Sequence, residues 1–130
     1  MAFKFIPGQT VEVPEIPFKD TVTLSAAETA VVVVDMQNDF VKEGGSLVIP
    51  AAAETIPHIQ QLRAAARRRG VRIAYTQDTQ VPDDPEFEVW PQHVLQGTWG
   101  WQIIDELQPQ PQDLIAPKNR YDGFYGSWLD

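Results

Sequence analysis

The pattern of apolar positions predicts a parallel β-sheet in the last hundred residues. Residues 30–34 (AVVVV) are apolar on both faces, which is typical of a central parallel strand covered by helices on both sides. Apolar residues alternate over 71–75, which predicts a second strand that ends at Asp78. Residues 113–116 predict a third strand that ends near Lys118. Three strands of this kind need long crossover connections, which are usually helical, to run parallel.

The segments between these strands predict helices. A helix is expected over residues 52–69, followed by Gly70 as its C-cap, and Pro57 favours a start nearer Glu54. A short helix is expected over 100–107 and another beginning at 126–127. The apolar stripe of the long helix consists of Ile56, Ile59, Leu62 and Ala66. This series predicts the α/β class, with a three-layer α/β/α, Rossmann-like parallel sheet.

The chain divides into two parts. Residues 1–29 contain Pro7, Gly8, Pro14 and Pro17, which predict an extended N-terminal arm. A short edge strand in this arm would use Val11, Val13 and Ile16. Residues 30–130 are expected to form the N-terminal portion of a folded domain.

Composition narrows the function classes. The net charge of −8 argues against a nucleic-acid partner, which requires a basic surface. The longest apolar run has five residues, and no basic segment precedes an apolar one at the N-terminus, so we expect no membrane partner and a cytoplasmic protein. The chain has no cysteine, which excludes disulfides, thiolate metal sites and a thiol nucleophile within these residues.

Three polar residues follow the predicted strands: Asp35, Asp78 and Lys118. Ligands of open α/β sheets bind beyond the carboxyl ends of the strands, so these side chains are expected to meet in one crevice. A carboxylate next to an ammonium group can accept a proton from a nucleophile and support the resulting anion. A purely structural salt bridge between strand ends would produce the same spacing, so the spacing alone leaves both interpretations open.

Three motifs carry a resemblance to a known family. Residues 31–40 (VVVVDMQNDF) resemble the segment that opens isochorismatase-like hydrolases, which include nicotinamidases and related amidases. Residues 90–100 (WPQHVLQGTWG) resemble the WPxHxxxGTxG segment of nicotinamidase-like members, and residues 118–129 (KNRYDGFYGSWL) resemble the segment around the family's lysine. The motifs occur in family order.

The resemblance implies a Cys-Asp-Lys triad that hydrolyses a C–N bond in a small amide. Asp35 matches the aspartate that deprotonates the thiol, and Lys118 matches the lysine that supports the thiolate. The cysteine would follow the lysine at a distance that these 130 residues do not reach, so the family fold is expected to be incomplete in this chain. A C-terminal complement or a second chain would supply the cysteine, and the resemblance also implies a homo-oligomer.

The resemblance also suggests binding residues. Phe40, Trp90, His93 and Phe124 are expected to contact the substrate. Nicotinamidases carry Asp-x-His at the position of Asp78, and that segment and the WPxH histidine bind a divalent metal. Asp78 and His93 match this metal site, but Gln80 replaces the other histidine, and an amide oxygen is a weak zinc ligand. We therefore expect no cofactor, with a divalent metal as the alternative.

Other functions remain open. Isochorismatases proper cleave a vinyl ether and typically lack the cysteine, so the bond that is cleaved is not decided by membership. The chain could also be a catalytically inactive, truncated interaction subunit of the same fold. A phosphoacceptor signalling domain has a similar size, but its first acidic cluster lies near the N-terminus, whereas Asp35 does not.

Overall fold

The computed structural model describes residues 17–129, together with Gly8 and Glu15. The edge strand expected around Val11, Val13 and Ile16 lies outside the described residues. Within the described part of the arm, residues 17–28 are exposed, and their only regular structure is one 3-10 turn, Ala26–Glu28.

Three parallel strands form the sheet, in the order β1 (Ala30–Val34), β2 (Arg72–Asp78) and β3 (Leu114–Lys118). The parallel register aligns Val34 with Thr76 and Asp78 with Lys118. All three strands therefore end at the same edge of the sheet, as predicted. We call this edge, formed by Asp35, Asp78 and Lys118, the carboxyl edge.

Helices cover one face of the sheet. Helix α1 (Asn38–Val41) follows β1, and helix α2 (Ala52–Arg68) connects β1 to β2. Further 3-10 turns lie at Pro85–Glu88 and Asp105–Leu107. None of the described helices has the length and apolar character needed to cross a lipid bilayer. The core between α2 and the sheet consists of Val33, Met36, Val41, Ala66, Ile73, Tyr75, Ile103, Ile104 and Leu107.

Helix α2 differs from its prediction in two respects. It begins at Ala52 rather than near Glu54, so Pro57 lies inside the helix and cannot donate to the carbonyl of Ala53. Arg63 faces the core instead of Leu62, which is half exposed. The guanidinium of Arg63 lies 5.5 Å from the centre of the Tyr75 ring and donates to the carbonyl of Gln108. The aliphatic part of an arginine side chain can pack against a core when its guanidinium group keeps polar contacts.

Strand β1 is an edge strand of the described sheet, not the central strand that its composition predicted. Val33 faces α2 and is 3% exposed, whereas Val34 faces the opposite side and is 59% exposed. The segment after β3 covers part of that opposite side: a Cβ atom at Gly123 would lie 3.4 Å from Cγ2 of Thr76. The second helical layer of the predicted three-layer arrangement is not seen in residues 17–129.

Two predicted helices are wrong. In residues 100–107 only the last three form a 3-10 turn, because residues 99–102 form a turn and a bend and Ile103 pairs as an antiparallel bridge with Gln37. Around residues 126–127 the chain makes turns, and Gly126 adopts a φ of +66°, which a right-handed helix does not permit.

Candidate active site

The carboxyl edge brings together the three side chains that the strand ends predicted. The Lys118 ammonium lies 2.8 Å from Oδ2 of Asp35 and 3.9 Å from Oδ1 of Asp78. Lys118 is buried, and the Asp35 side chain is 23% exposed. The carboxylate of Asp35 is thus paired with a cation and still reaches the cleft.

Backbone geometry and Thr76 fix the Asp35 carboxylate. Asp35 adopts a φ of +50°, a left-handed conformation that costs a non-glycine residue roughly 1–2 kcal/mol. The Thr76 hydroxyl donates to Oδ1 of Asp35 at 2.7 Å. The backbone amide of Asp35 donates to Oγ1 of Thr76 at 3.2 Å and to the Thr76 carbonyl oxygen at 3.3 Å. Each oxygen of Asp35 therefore has one defined partner, Thr76 or Lys118. Sequence reasoning missed Thr76, although its position opposite Val34 on a paired strand could have indicated it.

Asp78 has a different environment from Asp35. Burial raises the pKa of the Asp78 carboxyl, and the nearby Lys118 ammonium only partly opposes this. The Gln37 side chain holds the backbone of Asp78 through two hydrogen bonds of 2.8 Å, one to its carbonyl and one from its amide. Asp78 is therefore fixed by its backbone, and its carboxyl is left to interact with Lys118 and with the loop that follows.

A second polar group lies beside Asp78. His93 is buried, and its Nδ1 lies 2.7 Å from the carbonyl oxygen of Pro91. Because a carbonyl only accepts, Nδ1 carries a proton and donates to Pro91. Nε2 lies 4.0 Å from Oε1 of Glu86, and the rings of Phe40 and Phe87 flank the imidazole with centroids at 5.6 Å.

The remaining motif residues after Asp35 have structural roles. Oδ1 of Asp39 accepts from the amide of Ser46 at 3.0 Å, and Oδ2 accepts from the amide of Val94 at 2.7 Å. A Cβ atom at Gly100 would lie 2.1 Å from this carboxylate, so the glycine of the WPxHxxxGTxG segment is required for close packing. Asn38 donates to the carbonyl of Trp99. The two motifs therefore hold each other in place.

A cavity of about 470 Å³ opens above these residues. Its volume suits a small organic molecule. Six of the seven side chains proposed from the sequence line it: Asp35, Phe40, Asp78, Trp90, His93 and Lys118.

Phe124, the seventh, does not line this cavity and is 60% exposed. Tyr121 takes the place expected for it, and the Tyr121 hydroxyl accepts from Nε1 of Trp90 at 2.9 Å. Glu86 also lines the cavity and was not predicted.

The Isochorismatase domain model matches residues 29–130 of this sequence. The chain belongs to the isochorismatase family. It is 37% identical over 149 aligned residues to the ureidoacrylate amidohydrolase RutB of Rhizobium rhizogenes, covering 95% of this chain and 60% of that protein. The chain therefore spans about 60% of the length of this curated relative.

Solved structures agree with this family. An isochorismatase-like hydrolase from Alkaliphilus metalliredigens superposes with a TM-score of 0.74 at 36% identity, covering 78% of this chain and 57% of that one. N-carbamoylsarcosine amidase from Thermoplasma acidophilum gives 0.71 at 40% identity, with the same coverages. The predicted Rossmann-like α/β fold and the resemblance to isochorismatase-like hydrolases are confirmed.

The residues beside Asp78 do not fit a divalent metal. Residues 17–129 contain no group of three or more His, Cys, Asp or Glu side chains placed to hold one. The amide nitrogen of Gln80 lies 3.1 Å from Oδ1 of Asp78 and 3.1 Å from Oε2 of Glu86, so a hydrogen-bond donor lies between the two carboxylates. Asp78 and His93, the two ligands expected from the sequence, are thus not completed by a metal ligand at position 80.

Proposed function

We propose that this chain supplies the acid–base half of an amidohydrolase that cleaves a C–N bond in a small amide-type substrate. Asp35 is the proton acceptor, and Lys118 is its cationic partner. A thiol from a polypeptide segment outside these 130 residues is the nucleophile, since the chain itself contains no cysteine. The observation that carries the proposal is the 2.8 Å pair between Lys118 and Asp35 at the cavity floor.

The names of the relatives support the same bond class. One is a ureidoacrylate amidohydrolase and another is an N-carbamoylsarcosine amidase. Both names describe hydrolysis of an amide-type bond in a small molecule. We extend this class to the present chain, with ureido, carbamoyl and simple amides as the first substrates to test.

The site residues suit each proton transfer of such a reaction. Asp35 accepts the thiol proton, and the thiolate attacks the carbonyl carbon to form a C–S bond. The C–N bond then breaks, and the amine leaves with the proton that Asp35 returns. Water attacks the resulting thioester while Asp35 accepts its proton, the carboxylic acid product forms, and the thiol is restored.

Lys118 acts through its charge throughout this cycle. Its ammonium stabilises the Asp35 carboxylate before the reaction and the thiolate after proton transfer. Thr76 keeps the second oxygen of Asp35 occupied, so that the carboxylate orientation is constant. Phe40, Trp90 and His93 form the wall that would contact the substrate.

The test is ammonia release from a panel of ureido, carbamoyl and simple amides by the protein together with its cysteine-bearing segment. Asp35→Asn should lower kcat by about 10³-fold, the usual range for a lost general base. Asp20→Asn, the same change at an exposed position of the arm, should leave the rate unaltered. Iodoacetamide should abolish the activity.

Two results would contradict the proposal. One is wild-type kcat in a folded Asp35→Asn protein. The other is iodoacetamide-insensitive cleavage of a vinyl ether with no amide hydrolysis, which would assign the chain to the isochorismatase reaction instead. The oligomeric state and the origin of the complementary segment can be read from the mass of the purified complex.

A further inference from the structure

The side chain of Gln80 is enclosed between acidic groups of the cleft. It is 1% exposed, and its Nε2 donates to Asp78 and to Glu86, both at 3.1 Å. Its backbone is fixed as well, because the Gln80 amide donates to the carbonyl of Val94 and its carbonyl accepts from the amide of Gln96. Two hydrogen bonds thus hold the side-chain amide, and two more hold the backbone of the same residue.

The orientation of this amide is set by the carboxylates. Reversing it would place Oε1 about 3 Å from two carboxylate oxygens, which repel it. In the observed orientation Oε1 is buried and has no hydrogen-bond partner among the described residues. Leaving such an oxygen unpaired costs roughly 1–3 kcal/mol. The two N–H bonds to the carboxylates must therefore outweigh that cost.

The two carboxylates that contact the Gln80 amide are groups that also bind metal ions. Asp78 and Glu86 each direct an oxygen at it. The ring of His93 lies next to Glu86, with its Nε2 4.0 Å from Oε1 of that residue. Two carboxylates and an imidazole are common ligands of zinc.

We infer that the Gln80 amide takes the place of a divalent cation between Asp78 and Glu86, next to His93. Gln80 is a positioning residue, and the site works without a metal. Its two N–H groups separate the carboxylates, and Lys118, 3.9 Å from Asp78, supplies the positive charge that a neutral amide lacks. This inference does not depend on the proposed function, because it concerns only which group lies between the carboxylates of Asp78 and Glu86.

A single substitution should convert this arrangement into a metal site. Gln80→His removes the amide donor and adds a second imidazole, which gives two nitrogen and two oxygen ligands. Zinc and cobalt bind such sets in tetrahedral geometry. We expect the variant to bind one Co²⁺ or Zn²⁺ per chain at least ~100-fold more tightly than wild type, which corresponds to about 2.7 kcal/mol.

The experiment measures metal binding directly in the purified protein. Titration calorimetry gives the stoichiometry and affinity for Zn²⁺, and the visible absorption of Co²⁺ reports tetrahedral coordination. Gln112→His, which adds an imidazole at an exposed position, is the matched control and should bind no more tightly than wild type. Adding His93→Gln to Gln80→His should remove the gained affinity.

Gln80→Glu provides a second test that keeps the size of the side chain. It replaces the amide donor by a third carboxylate, so its melting temperature should be lower than that of wild type and should rise when Mn²⁺ or Zn²⁺ is added. The wild-type melting temperature should not respond. Stoichiometric, micromolar metal binding by wild type would overturn the inference, and so would folded Gln80→His and Gln80→Glu proteins that gain no affinity.

Discussion

The two edges of the sheet each carry a carboxylate paired with a cation, and the two pairs are built differently. At the carboxyl edge, Lys118 contacts one oxygen of Asp35, whose other oxygen accepts from Thr76. We call the opposite end of the sheet, where β3 begins after Asp113, the amino edge; there Arg67 makes two parallel bonds of 2.7 Å to both oxygens of Asp113. The bidentate pair fully occupies its carboxylate, whereas the carboxyl-edge pair borders a cavity.

Electrostatics separate the two edges further. Hydrogen bonds from Arg67 and the amide of Gln110 lower the pKa of the Asp113 carboxyl, which favours its charged form. Burial raises the pKa of the Asp78 carboxyl at the other edge. The amino edge therefore favours the charged form of Asp113, whereas burial at the carboxyl edge disfavours the charged form of Asp78. Carboxyl groups whose pKa is raised by burial are typical of functional sites.

The largest effect is expected for Lys118→Met. Among the described residues it removes the only cation that contacts Asp35 and Asp78, so two carboxylates remain together without compensation. We expect kcat of the active protein to fall by about 10³-fold or more, and the free energy of unfolding by about 3–5 kcal/mol. Steady-state kinetics and urea denaturation measure the two losses.

Lys118→Arg is the companion variant, because it keeps the positive charge of residue 118 and changes the geometry of the charged group. It should recover most of the stability, because the charge is kept, but not the rate, because a planar guanidinium does not reproduce the contacts of an ammonium. An unchanged kcat in either folded variant would mean that the carboxyl edge is as structural as the amino edge.

An intermediate effect is expected for Asp113→Asn. This variant loses the two charge-assisted bonds to Arg67, so we expect the free energy of unfolding at pH 7 to fall by about 1.5–3 kcal/mol, with kcat unaltered. Denaturation at pH 7 and the amide assay check this. A loss of kcat at equal stability would connect the amino edge to catalysis and remove the contrast.

The same variant has a defined pH signature. The Asp113 pKa in the folded chain lies below its ordinary value of 3.8, so its stabilisation is complete above that value and is lost as the pH falls through the folded-state pKa. Wild type should therefore lose more stability than Asp113→Asn on acidification. Asp78 contributes with the opposite sign, because its raised pKa favours the folded state below 3.8, and that contribution is lost as the pH rises.

The residues of the carboxyl edge could be predicted from the sequence, because the apolar pattern of each strand shows where the strand ends and which strands run parallel. The position of Asp35, Asp78 and Lys118 depends only on where three apolar strands stop. Sequence reasoning did not find the non-helical conformation of residues 100–104, which results from contacts over long separations. The Gln37 side chain donates to the carbonyl of Trp101, and the Asn38 amide donates to that of Gln102.

Two further differences have similar causes. The segment after β3 consists of turns, so no strand or helix period indicated that Tyr121 rather than Phe124 faces the cavity. For β1, apolar residues on both faces predicted a central position, but Val32 and Val34 lie on a face that the described residues leave open. Composition indicates which faces are suited to burial, and it does not specify what covers them.

The smallest effect is expected at a third pair, Lys42 with Glu106, which joins α1 to the Asp105–Leu107 turn at the surface. Both side chains are about one-third exposed, so water and salt screen the pair. The backbone of the turn keeps its own tie to α2, because Gln60 donates to the Glu106 carbonyl. We expect Glu106→Gln to lower the free energy of unfolding by at most about 0.5 kcal/mol in low salt and less in 1 M NaCl. Urea denaturation of both variants in parallel measures the difference. If Glu106→Gln loses as much free energy of unfolding as Asp113→Asn, the geometry of the ion pair does not determine its contribution to stability.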